Sequence, residues 1–182
     1  MKRAPMTEIA LTVDGITAGY GGGDVLHDVS FDHITAFVTG PLLYVGDKEQ
    51  KIPNFSVTNS IFMPGKVRFA FASTGGGQAN CAHDSQRAGA EAVLSACFVN
   101  SKFEKNLIIG EKGGWPKGNT IVSSAEAAGV RELKGSISKN PRLCHEKDPG
   151  CSHKSPGADA ASDGRDIGAD VDGVEAAIKG VE

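Results

Sequence analysis

Three segments of this chain carry one pattern, a short alternating apolar run that reaches a polar His or Asn corner. They are Val29-Ser30-Phe31-Asp32-His33-Ile34, Phe55 to Phe62 through Asn59, and Phe103 to Ile109 through Asn106. Alternation at period two marks a strand with one face buried. The second segment restarts 26 residues after the first, counted from Phe31 to Val57, and further short apolar runs lie at Ala36-Phe37-Val38, Leu42 to Val45 and Val67 to Phe71. A period in the twenties, with several strands and no helix, predicts a β-solenoid whose coils bury their apolar face only by stacking on one another. The third segment follows at 46 residues, from Val57 to Phe103, so the surplus is expected to leave the coil as an insertion loop over about 73–89. A bridge from Cys81 to Cys97 would pin that loop to the body. At the corners, His33, Asn59 and Asn106 read either as a ligand row on one face or as structural side chains that bond turn backbone no ladder reaches; the structural reading is preferred.

Composition narrows the setting. The 24 glycines are well above the average usage of about 7% and call for tight turns rather than long helices. A net charge of -3 leaves no basic footprint of the kind that nucleic acid requires. No run of apolar residues is long enough to cross a bilayer as a helix. The start, Met1-Lys2-Arg3, is positive like a signal peptide, yet Thr7, Glu8 and Asp14 interrupt the apolar stretch, so no export signal is read here. The four cysteines fall instead as two local pairs, Cys81 with Cys97 and Cys144 with Cys151, which suits disulfides in an oxidising compartment. The two observations agree if the chain is the C-terminal part of a longer exported protein.

At the N-terminal end, Ile9 to Val13 reads as a strand, and Leu11 to Phe31 resembles the first strands of an ATP-binding cassette domain. No G-x-x-x-x-G-K-[ST] follows, and Thr39-Gly40-Pro41 offers no lysine for phosphate, so that reading is rejected. Further on, Ser123 and Glu126 form a capping box for a short helix that Gly129 ends. The regular coils are expected over 1–133 and an irregular capping tail over 134–182, where Val171, Val174, Ile178 and Val181 space out one face of a terminal helix lying on the last coil.

The strings Asn106 to Gly110, Gly114 to Asn119, Ser155-Pro156-Gly157-Ala158-Asp159-Ala160 and Asp163-Gly164-Arg165-Asp166-Ile167-Gly168-Ala169-Asp170 resemble the C-terminal end of bacterial right-handed parallel β-helix proteins of the pectin-lyase-like fold. The resemblance covers roughly Val25 to Asp172, and the Asp-Gly-x-Asp-Ile-Gly-Ala-Asp segment is its most specific part. It implies an all-β fold of about four coils and an extracellular or cell-surface setting. It does not imply one activity, because members of the fold include polysaccharide lyases, glycoside hydrolases and proteins without a known reaction. The chain departs from a complete member by lacking an N-terminal helical cap; either it is a fragment or Met1 to Tyr20 serves instead. An open first coil would leave strand edges free for edge-to-edge self-association.

Candidate sites are few. Cys144, His145, Cys151 and His153 could ligate zinc, but they lack a knuckle spacing, and a small disulfide loop is preferred. The acidic cluster Asp159, Asp163, Asp166, Asp170 and Asp172, with Arg165 among it, offers a candidate calcium site at Asp163, Asp166 and Asp170; Asx-turns are the alternative. Trp115, flanked by Lys112 and Lys117, could stack on a sugar ring or cap the apolar column. No carboxylate pair, Ser-His-Asp order or nucleophile elbow identifies a catalyst. The expectation is a non-catalytic carbohydrate-binding or cell-surface scaffold without an obligate cofactor, with a polysaccharide-degrading enzyme and an edge-stacking module as alternatives.

Overall fold

A computed structural model describes residues 28–45, 51–65, 68–73, 80–110, 113–131 and 141–179. The expected strand at Ile9 to Val13, the cap at Met1 to Tyr20, Lys112 and Val181 lie outside the described residues.

Mostly short strands in parallel sheets make up the body. A first pass of chain runs β1 (Ser30–Asp32), β2 (Thr35–Phe37), β3 (Leu43–Val45) and β4 (Ile52–Pro53). A second runs β5 (Ser56–Thr58), β6 (Ile61–Met63), β7 (Phe71–Ser73), α1 (Ala82–Ser85), α2 (Ala90–Cys97) and β8 (Phe98–Val99). β9 (Lys102–Glu104), β10 (Leu107–Ile109) and β11 (Thr120–Val122) follow. Each strand pairs in parallel with its counterpart in the next pass, giving β1-β5-β9, β2-β6-β10-β11, β3-β7 and β4-β8. Phe31 stands beside Val57 and Val57 beside Phe103, so the 26- and 46-residue spacings of the sequence are pairing registers.

Among the described residues, the surplus in the second pass packs on the body as two short helices. Ala90, Val93, Leu94 and Cys97, at helical spacing along α2, are all buried, as is Ala82 of α1. The Cys81–Cys97 disulfide closes this helical insertion, which continues to Cys97 rather than stopping near Gly89.

Two hydrophobic clusters lie on opposite faces of the β2-β6-β10-β11 sheet. Phe62 and Ile108 join Val57, Phe71, Phe103, Trp115 and the α2 residues on one side, where aromatic rings stack from Phe62 through Phe103 to Trp115 at centroid distances of 6.1 and 5.9 Å. Ile61, Leu107 and Ile109 face the other side, under Ala128, Val130, Leu143, Ala161 and Ile167. Covering both faces explains why Leu107-Ile108-Ile109 is continuously apolar instead of alternating.

The cover comes from the tail. β12 (Val130–Arg131) and β13 (Arg142–Leu143) pair antiparallel, and residues 155–169 cross back over the first two passes. Gly168 N–H donates to the Asn59 carbonyl at 2.7 Å and Ala169 N–H to Thr35 Oγ1 at 3.0 Å. A Cβ at Gly168 would lie 2.6 Å from Ile61 Cδ1 and the backbone there has φ 99°, so glycine is what lets the tail approach. The short helix α3 (Val171–Ile178) begins at Asp170, whose carboxylate accepts from Gly173 N–H. None of its residues is buried; Val174 and Ile178 are exposed, so the face expected to lie on the last coil is open.

The expected capping box shifts by one residue and makes only a turn: Ala127 N–H donates to Ser124 Oγ, not Ser123, and Gly129 closes it at φ 62°. No described helix is long and apolar enough to cross a membrane.

Candidate functional site

The polar corners form two rows, not one. His33, Asn59 and Lys105 occupy equivalent corners with φ of 50, 50 and 58°, a left-handed backbone that Asn accepts more readily than most residues. Asn106 stands one residue later, in register with Ser60, and points inward. It is fully buried, with Oδ1 accepting from Ser60 N–H at 3.0 Å and Nδ2 donating to the Val57 carbonyl at 3.0 Å and to Asn119 Oδ1 at 2.9 Å. Its side chain therefore links passes, and it does not stand in line with His33 and Asn59. A second left-handed row, Asp28, Asn54 and Asn100, repeats at the same 26- and 46-residue offsets and was not picked out from the sequence. The recurring Asn or Asp was the available signal.

Asn59 and His33 serve as the seat for the tail. Asn59 Oδ1 accepts from Ser162 N–H at 2.8 Å while Nδ2 donates to Asp32 Oδ1 at 2.8 Å and Ser162 Oγ at 2.9 Å. The His33 ring sits 3.2 Å from both the Gly168 carbonyl and Asp163 Oδ2.

Folding the tail onto this seat creates a groove of about 690 Å³ between β12–β13 and residues 159–172. The Cys144–Cys151 disulfide closes a small loop beside it, so the two sulfurs of the alternative zinc set are bonded to each other, and His153 turns to Ser152 Oγ at 3.0 Å. His145 projects from this loop, its N–H held by Asp148 Oδ2 at 3.2 Å, which also faces Arg131 at 3.7 Å. The imidazole is flanked by two carboxylates, with Nε2 at 3.0 Å from Asp166 Oδ2 and Nδ1 at 3.8 Å from Asp159 Oδ2. Lys154 Nζ donates to Asp159 Oδ2 at 2.9 Å.

These pairings set the protonation states. The hydrogen bond to Asp166 raises the His145 pKa, against a smaller opposing effect of burial and with help from the charges of Asp166, Asp159 and Asp148. Lys154 lowers the pKa of Asp159 and is itself raised by it. Asp163 is lowered to about 2, first by the Arg165 N–H and then by the Arg165 guanidinium at 2.5 Å. Arg142 binds Asp172 and Glu175 of α3.

The three aspartates expected to share calcium do not converge. Asp163 turns to Arg165 and His33, Asp166 to His145, and Asp170 caps α3. Among the described residues the groups that do come together are His145, Asp159 and Asp166, with ligand atoms within 4.8 Å of one another. An imidazole and two carboxylates could hold a divalent cation, but here the ring faces one carboxylate through each nitrogen, and Lys154 occupies Asp159. That arrangement favours the charged form of the ring over the neutral one. His145 was noticed in the sequence only for its place beside Cys144; nothing in its spacing to residues 159 and 166 announces the contact.

Trp115 is 9% exposed, stacked on Phe103 and edge-on to Phe71 at 5.5 Å. Its ring is part of the core and presents no face to a sugar, whereas Lys117 is exposed. Comparison with protein-family models, curated proteins and solved structures finds no match.

Proposed function

We propose that this chain forms the closing coils of a right-handed parallel β-helix of the pectin-lyase-like kind, and that it works outside the cell as a scaffold that binds carbohydrate without cleaving it. The solenoid reading is supported by parallel ladders that recur in the same order at successive passes. The extracellular reading is supported by two disulfides in a chain with no free cysteine among the described residues. With Trp115 in the core, the carbohydrate contact moves to the polar groove against which the tail is folded.

The observation that carries the non-catalytic part is the pairing of carboxylates in that groove. Asp159, which lines the groove, is lowered in pKa by Lys154, and Asp163, beside it, by the Arg165 N–H and then by its guanidinium, whereas a general acid for glycoside cleavage needs a carboxyl raised toward neutrality. A second reading, a polysaccharide lyase or glycoside hydrolase, is favoured by His145 alone, a raised imidazole between two aspartates in the groove. Exposed Ile121 on β11, the last strand of its sheet, supports edge stacking of further chain as an added role.

Binding and depolymerisation against acidic and neutral polysaccharides, with and without Ca²⁺, separate these readings. Retention without new reducing ends or unsaturated product is the expected result. Product formation that is lost in His145→Gln would replace the scaffold by an enzyme, and neither retention nor product would remove the carbohydrate reading.

A further inference from the structure

On another part of the molecule, a groove of about 310 Å³ runs between residues 64–65 and 68–70 on one side and the turn that joins α1 to α2 on the other. Arg68 and Arg87 both line it. Five arginines fall among the described residues, and three of them face carboxylates: Arg131 with Asp148, Arg142 with Asp172 and Glu175, Arg165 with Asp163. Arg68 and Arg87 have no carboxylate partner among the described residues, and they are the two that share this groove.

Their setting favours an incoming anion over water alone. The Arg68 guanidinium lies 5.1 Å from the Phe69 ring centroid, a cation–π contact that engages a face of the guanidinium and leaves its edge N–H groups free to donate. The opposite wall is backbone: Ala90 N–H donates to the Gly113 carbonyl at 2.6 Å and Glu91 N–H to the Gly114 carbonyl at 2.8 Å. A Cβ on Gly89 would come within 2.6 Å of Gly114 Cα, so the two glycine strands meet with no side chain between them. Those carbonyls take the first donors of α2, leaving the two guanidiniums as the cationic groups of the site among the described residues. Against Gly113 lies Trp115 Nε1, the buried side-chain polar atom without a hydrogen-bond partner among the described residues.

We propose that this groove binds a tetrahedral oxyanion, a sulfate or phosphate group either free or carried as an ester. A carboxylate has two oxygens, which one guanidinium fork already satisfies, whereas a tetrahedral anion offers oxygens to two forks arriving from different segments. The site is independent of the groove beneath the tail and of the carbohydrate reading based on it.

Calorimetric titration of the full chain with sodium sulfate and sodium phosphate at constant ionic strength, with sodium chloride as reference, tests the site. The wild type and a Lys179→Gln charge control are expected to bind alike, and Arg68→Gln/Arg87→Gln about tenfold or more weakly. Both replaced side chains are exposed, and circular dichroism checks that the fold is kept. Arg87→Lys, which retains charge without the fork, is expected to fall between. Dextran sulfate and dextran identify the source: retention of the sulfated polymer alone, lost in the double variant, assigns an ester, and binding of the inorganic ions alone assigns a free ion. Equal binding by wild type and double variant, or no preference for sulfate or phosphate over chloride, overturns the proposal.

Discussion

Asn106 Oδ1 accepts the Ser60 N–H at 3.0 Å, and both residues are fully buried although 46 positions separate them in the chain. The amide also satisfies the Val57 carbonyl. Asn106→Ala would leave a buried donor and a buried acceptor unmet, each costing about 1–3 kcal/mol. Denaturant unfolding should show a loss of about 3 kcal/mol, and a loss under about 1 kcal/mol would mean that water or a shifted neighbour takes the place of the amide.

The two disulfides close loops of unequal length, with sequence separations of 16 and 7. Loop entropy gives about 3 kcal/mol for Cys81–Cys97 and about 2.5 kcal/mol for Cys144–Cys151. Paired Cys→Ala variants at each site, unfolded in denaturant, should rank in that order. Loss of the first additionally exposes α2, so its chemical shifts and amide exchange should change most over 90–97.

Trp115 combines a well-packed ring with an N–H that has no partner among the described residues. Trp115→Phe keeps the stack on Phe103 and removes the unmet donor, and it should cost within about 1 kcal/mol. Trp115→Ala empties the end of the aromatic column and should cost about 3–5 kcal/mol. Similar large losses in both variants would show that the indole N–H does have a partner in solution.

Stability should depend on pH through two opposite limbs. The folded pKa of His145 is raised above its ordinary 6.5, so its contribution is full below that value and is lost as pH rises through the raised one. Asp163 is lowered from 3.8 to about 2, so its contribution is present above 3.8 and is lost as pH falls through about 2. Midpoints of thermal unfolding measured across pH should fall at both ends. His145→Gln should flatten chiefly the alkaline limb and Asp163→Asn chiefly the acid limb; an unchanged profile in either variant would contradict the assignment.

Much of the sheet order was legible because residue type and register coincide. Phe31, Val57 and Phe103 carry the alternation themselves, and they are neighbours in the sheet. The corners were less legible: Lys105 and Asn106 are both polar, and only strand pairing decides that the lysine takes the left-handed position. Ala90, Val93, Leu94 and Cys97 spell a helical face, yet they lie just past the end of the loop expected over about 73–89, and their spacing was given no helix. The groove was the least legible feature. His145, Asp159 and Asp166 belong to turns whose separation encodes nothing, and a fold of the tail over the body brings them together. The acidic cluster suggested one shared ion because its residues are close in sequence, whereas each aspartate has a different neighbour in space.

The contacts from Gly168 to Asn59 and from Ala169 to Thr35 also set a timetable. A ribosome delivers Thr35 and Ile61 more than a hundred residues before the segment that covers them, at about 5–20 residues per second. For several seconds the outer face of β6, and later that of β10, waits with Ile61, Leu107 and Ile109 bare. Completion of the body is therefore tied to the synthesis of residues 155–169, and a chain halted before residue 155 would leave the ribosome with an apolar sheet lacking the cover of Ala161 and Ile167, the kind of surface on which chaperones and proteases act.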